Sequence, residues 1–136
     1  MKEILQYDTI QRFIKALGED IEEYVGKDKV CIIHLLPDGV FYAEALYEHL
    51  KKAKKDVVII SMDDHGENLD ATKVKGRKVL LVDNDVVTGT AYKRSTDALK
   101  TRKKELRIKD IKFAVFADRA SLADFSVEKY NPEEIW

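Results

Sequence analysis

Three features of the chain predict an α/β domain with a doubly wound, mainly parallel sheet of about four to five strands flanked by helices. Runs rich in Val and Ile recur at residues 30–36, 57–60, 79–82 and 111–117. They lack the polar alternation of a strand with one wet face. Segments with apolar residues at helical spacing separate these runs. The length of 136 residues suits one domain, residues 1–136, with a real core, and no repeat, low-complexity tract or linker interrupts it.

Each element follows from its residues. Ile10, Phe13, Ile14, Leu17, Ile21, Tyr24 and Val25 fall on one face of a first helix, with Asp8 or Thr9 as its cap. Residues 29–36 form an apolar strand that Pro37-Asp38-Gly39 stops. A second helix turns Ala43, Leu46, Tyr47 and Leu50 inward. Val57-Val58-Ile59-Ile60 is a second buried strand, followed by a polar stretch over residues 61–78. Val79-Leu80-Leu81-Val82 is a third strand and ends at Asp83-Asn84-Asp85. A helix over about residues 90–104 has a thin apolar face of Ala91, Ala98 and Leu99. Residues 111–117 form a fourth strand, and Phe125 to Val127 a short fifth.

Composition narrows the functional classes. Lys and Arg total 24 against 25 Asp and Glu, a formal net charge of −1. A nucleic-acid binder normally shows a basic excess, so no nucleic-acid partner is expected. The basic runs at residues 51–55 and 100–104 read as solvated helix ends. Cys31 is the only cysteine, which excludes an intramolecular disulfide and a cysteine zinc site. Its apolar surroundings suit a small buried hydrophobe. No apolar stretch approaches the roughly 18 residues of a membrane span, and the first residues lack a signal-peptide pattern. A cytoplasmic protein with no membrane partner is expected. His34 is expected to be hydrogen-bonded in the core, and His49 to favour the C-terminal dipole of a Lys-rich helix. Asp63-Asp64-His65 reads as a solvated loop, with metal or substrate contact as its sharper alternative.

Ligands of parallel sheets bind beyond the carboxyl ends of the strands. That directs attention to residues 36–39, 61–66, 83–91 and 117–122. The most informative is Asp83-Asn84-Asp85-Val86-Val87-Thr88-Gly89-Thr90-Ala91. Carboxylates at a strand end can accept hydrogen bonds from sugar hydroxyls. A turn of small residues entering a helix can cradle a phosphate through backbone N–H groups, and Gly89 permits close approach.

This segment resembles the PRPP-binding motif of the type I phosphoribosyltransferases. Leu35-Leu36-Pro37-Asp38-Gly39 resembles the family's pyrophosphate loop, and residues 61–78 occupy the place of its mobile catalytic loop. Phe116-Ala117-Asp118-Arg119 and Ala123-Asp124-Phe125-Ser126-Val127, with Glu134-Ile135-Trp136, resemble the small C-terminal base-binding hood of the xanthine and hypoxanthine-guanine branch. The resemblance implies roles residue by residue. Asp83 and Asp85 are the catalytic candidates, Asp83 holding the ribose hydroxyls and, through water, Mg²⁺. Asp83, Asn84, Asp85, Val86, Val87, Thr88, Gly89, Thr90 and Ala91 would form the PRPP site. Leu36, Pro37, Asp38 and Gly39 would face pyrophosphate and Mg²⁺. Asp118, Arg119, Phe125, Ser126 and Val127 would receive the base, Phe125 by stacking and Val127 through its backbone. The C-terminal aromatics Phe125, Tyr130 and Trp136 suit a base, a dimer interface or the core equally well. A homodimer is the implied assembly.

The motif is divergent. Without gaps, its second acid is Asn84, and Val87 stands where purine enzymes often carry an Asp. Pro37 and Asp38 replace the usual basic residue or glycine. Two readings stay open: a transferase making a nucleoside monophosphate from PRPP and a nucleobase, a purine by resemblance, or a degenerate module that binds PRPP or nucleotide without turnover. A receiver-like domain fits less well, because its acidic pair would follow the first strand, where this chain has Leu36-Pro37-Asp38-Gly39.

Overall fold

A computed structural model describes residues 2–35, 40–62, 69–86 and 90–129. Its five strands are β1 (Val30–Leu35), β2 (Val57–Met62), β3 (Lys78–Val86), β4 (Asp110–Asp118) and β5 (Phe125–Lys129). They form one parallel sheet in the order β2-β1-β3-β4-β5. The helices are α1 (Lys2–Val25), α2 (Val40–Lys52), α3 (Thr90–Thr101) and α4 (Lys103–Leu106), with a short 3₁₀ turn at Ala71–Lys73.

Strand alternation divides the core. Val30, Ile32, Leu80, Val82, Ala114 and Phe116 pack under Phe13, Leu17 and Ile21 of α1 and Ala43, Leu46 and Leu50 of α2. Cys31, Ile33, Val79, Leu81, Phe113 and Val115 face the other way, against Val74, Leu99, Leu106 and Ile108. Both faces are covered, which is why the strands read as unbroken apolar runs. Helices α1 and α2 approach closely at Gly18. A Cβ there would lie 2.8 Å from His49 Nε2.

Several boundaries differ from the sequence expectation. Helix α1 begins at Lys2, so Asp8 and Thr9 lie inside it and cap nothing; Thr9 Oγ1 instead accepts a 3.3 Å hydrogen bond from Tyr42 Oη. The third helix stops at Thr101, and α4 is separate. Its thin apolar face is completed by Ser95 and Thr96, both buried. His49 lies in the last turn of α2 with its Nε2 3.1 Å from Glu22 Oε1. Cys31 is fully buried, and burial pushes its thiol up to about 12.

The strongest departure is β3, which runs four residues beyond Val82. Asp83 pairs with Val115, Asp85 with Ala117 and Val86 with Asp118. Asp and Asn are poor strand formers, but pairing with β4 overrides propensity. A second feature concerns β5, which is parallel to β4 although only residues 119–124 connect them. Such pairs usually need a crossover of a dozen or more residues. Here β5 begins beside Ala114, midway along β4. The chain therefore falls back only about 13 Å, four residues of strand rise.

Candidate functional site

The order of the strands reverses between β1 and β3, so the crevice lies at their carboxyl ends. There the rim brings together Asp83 and Asn84 of β3, the start of α2 at Val40 and the start of α3 at Thr90. Neither helix has an acid in its first turn. Each therefore presents its positive dipole end with no carboxylate in its own first turn. The dipole at α2 was not legible as a site feature, because nothing but its position relative to β1 marks it.

Asp83 is half-buried, and its Oδ1 accepts a 2.7 Å hydrogen bond from the Asn84 N–H. That bond holds the carboxylate at the strand end. Asn84 is exposed. The backbones of Asp85 and Val86 belong to β3, Thr90 opens α3 with an exposed side chain, and Ala91 follows in its first turn. Val87, Thr88 and Gly89 lie outside the described residues. So do Leu36, Pro37, Asp38 and Gly39, the trio Asp63, Asp64 and His65, and the tail carrying Tyr130 and Trp136.

Two of the residues expected to receive a base have other work. Asp118 is fully buried. Its Oδ1 accepts from the amides of Ala120 and Leu122 at 3.1 and 3.2 Å, and its Oδ2 from Ala123 at 3.0 Å. This carboxylate closes the turn after β4, which corrects the expectation that its side chain contacts a base. Asp124 completes the return: its amide donates to Phe113 O, and its Oδ2 accepts from Phe113 N, both at 2.9 Å. Phe125 is half-buried in β5. Its ring packs 5.8 Å from that of Tyr24, in the last turn of α1 and at the amino-terminal end of the sheet. The ring thus serves the core, away from the rim. Ser126 and Val127 are half-buried in β5, with Val127 against the α1–α2 core, and Arg119 is half-buried in the turn.

His34 is the rim residue that the sequence misjudged. It lies at the end of β1, and its buried Nδ1 has no hydrogen-bond partner among the described residues. Burial lowers its pKa below the ordinary value, which favours neutral imidazole. Its position one residue before the end of β1 was the available signal.

No cluster of three or more His, Cys, Asp or Glu able to hold a metal occurs among the described residues. A single carboxylate still suits Mg²⁺, which keeps several waters and is usually held by one or two carboxylates plus substrate phosphates. Asp83 fits that demand.

The fold and rim define a class: a parallel α/β domain with an acid-bearing strand end beside two helix starts that lack first-turn acids. The chain matches the phosphoribosyl transferase domain family over residues 2–132, and it belongs to that family. Among solved structures, hypoxanthine phosphoribosyltransferase from Staphylococcus aureus superposes with a TM-score of 0.73 at 16% identity, covering 91% of this chain and 74% of that one. The hypoxanthine phosphoribosyltransferase of Trypanosoma cruzi gives 0.69 at 16% identity, covering 91% and 78%. At these identities the likeness is one of fold. No curated protein matches the sequence. No helix among the described residues is long and apolar enough to cross a membrane.

Proposed function

We propose that residues 1–136 act as one domain that transfers ribose 5-phosphate from PRPP to a nucleobase, releasing pyrophosphate. The observation that carries this reading is the placement of Asp83 at the crevice, beside the acid-free start of α3. The base is a purine, as in the superposed hypoxanthine enzymes. The assembly is a homodimer in the cytoplasm.

In this reading Asp83 accepts hydrogen bonds from the ribose hydroxyls. Residues 87–91 wrap the 5′-phosphate with backbone N–H groups and the α3 dipole. The start of α2 and residues 36–39 face the pyrophosphate. Mg²⁺ held through water at Asp83 would neutralise charge on the leaving group. The bond from ribose C1 to pyrophosphate breaks as the base nitrogen attacks, and the Asp83 charge stabilises the developing oxocarbenium. Purine contact falls to Arg119 and the β5 backbone at Ser126 and Val127, in a strand whose Lys129 pairs with Asp118.

The second reading, a binding module without turnover, is favoured by one specific observation: Val87 offers no group that moves a proton. Calorimetric titration with Mg²⁺-PRPP and with nucleoside monophosphates, followed by a pyrophosphate-release assay with each free base, separates the two. Binding with release supports the transferase. Binding without release for any base supports the module. Absence of binding to every ligand rejects both.

A further inference from the structure

We propose that the hollow between α3, α4 and the start of β4 binds a compact ligand carrying two or more phosphate groups, at a site separate from the rim. The first ground is charge. The chain carries a net charge of −1, yet residues 100–109 hold Lys100, Arg102, Lys103, Lys104, Arg107 and Lys109 against the single acid Glu105. Such a local excess on a balanced protein focuses a positive potential.

The second ground is shape. Most of these cationic residues are exposed, and together they line one open hollow. Lys100, Lys103, Lys104, Arg107 and Lys109 line a cavity of about 610 Å³ floored in part by the buried Ile108. A neighbouring hollow of about 290 Å³ shares Arg107 and adds Lys75 and Arg102. The local backbone makes this arrangement. Arg107 takes the left-handed conformation at φ 56°, its N–H donating to the carbonyls of Lys103 and Lys104. The Arg107 carbonyl accepts from Gly76 N at 2.8 Å. The chain thus reverses at Arg107, setting Lys103 and Lys104 across the cavity from Lys109.

The third ground is the shortage of internal counter-charge. Glu105 lies 3.8 Å from Arg102, and Asp28 holds Lys109 at 2.6 Å. Among the described residues, no carboxylate lies within ion-pair distance of Lys100, Lys103, Lys104 or Arg107. Several ammonium groups with one guanidinium fork suit clustered phosphate oxygens. No aromatic ring lines either hollow, so the stacking platform that single-stranded nucleic acid uses is missing. That favours a small polyphosphate. The cavity lies at the amino-terminal ends of β3 and β4, roughly 17 Å of strand away from Asp83 at the rim. Its ligand would not compete with PRPP.

The test is an NMR titration of the full chain with inorganic tripolyphosphate at constant ionic strength. Amides of residues 100–109 report this site, and amides of residues 83–91 report the rim. We expect saturable shifts at residues 100–109. In the Lys103→Gln/Lys104→Gln double variant, affinity there should fall at least tenfold, while rim responses and pyrophosphate release stay unchanged. Arg107→Gly, which suits the left-handed backbone, should weaken binding with the fold intact. The proposal is overturned if residues 100–109 show no saturable shift, or if sulfate at matched ionic strength reproduces it. Binding that survives both variants, or binding of single-stranded RNA but not tripolyphosphate, overturns it equally. A silent rim beside a responsive cavity would count against the transferase reading alone.

Discussion

At the amino-terminal end of the strands, Asp28 holds Lys109 at 2.6 Å and Lys78 at 3.2 Å, and Arg77 holds Asp56 at 2.9 Å. Tyr24 donates to Asp110 at 2.9 Å, while the Lys78 ammonium lies 4.6 Å from the Tyr24 ring centre. Burial first, and then the bond to Asp110, raise the Tyr24 pKa. At the carboxyl end, the half-buried Asp83 sits between two helix starts without acids. Around Asp28 and Asp56 the amino-terminal end matches its charges internally and ties α1 to the strands. The other leaves its dipoles for a ligand. Groups that bind substrate must keep an unmet electrostatic demand, and a fold tolerates that when order is supplied elsewhere.

The largest challenge to this division comes from Asp118, a rim residue with a structural role. Asp118→Ala leaves three amides without their acceptor. At about 1–3 kcal/mol for each buried donor left unpaired, stability should fall by about 3 kcal/mol or more in urea melts. Asp118→Asn should lose less, because its amide oxygen still accepts. A neutral Asp118→Ala melt would return that carboxylate to the ligand side.

Asp83→Ala should do the opposite. PRPP affinity or turnover should drop about 100-fold, equivalent to about 2.8 kcal/mol, with stability within about 0.5 kcal/mol of wild type. Calorimetry and melts on one sample decide it; a destabilised variant that binds normally would make Asp83 structural. Phe125→Leu sharpens the contrast at smaller scale. Losing the edge contact with Tyr24 should lower stability by about 1 kcal/mol while base preference stays fixed, and a change of preference would restore stacking at Phe125.

The smallest effect concerns pH. Hydrogen bonds from Lys109 and then Lys78 hold the Asp28 carboxyl below its ordinary value of 3.8. A lowered folded pKa means that this contribution is present above 3.8 and fades as pH falls toward the folded value. Wild type should therefore outlast Asp28→Asn at pH 6, and the gap should narrow as pH falls below 3.8. A gap independent of pH would remove the charge from the explanation.

The buried strands were legible because coverage on both faces leaves an unbroken Val and Ile signal. The motif at residues 83–91 was legible because its residue types suit sugar and phosphate. What escaped depended on partners far along the chain. Asp83 and Asp85 became strand residues through β4, and Phe125 became a core residue through Tyr24, about a hundred positions earlier. Asp118 looked like a ligand group because an acid ending an apolar run has that appearance; the amides that engage it follow within five residues. Ser95 and Thr96 escaped because hydroxyl side chains do not count toward an apolar face.

The brief return from β4 to β5 has a kinetic meaning. Among the described residues, no helix clamps that last strand from its far side, and its seat depends on the Asp118 and Asp124 carboxylates together with α1. The β4–β5 ladder is thus a separable cooperative unit, able to detach while β1–β4 remain folded. Amide exchange along β5 should outpace exchange in the central strands, so the sheet would lose its order from this edge inward.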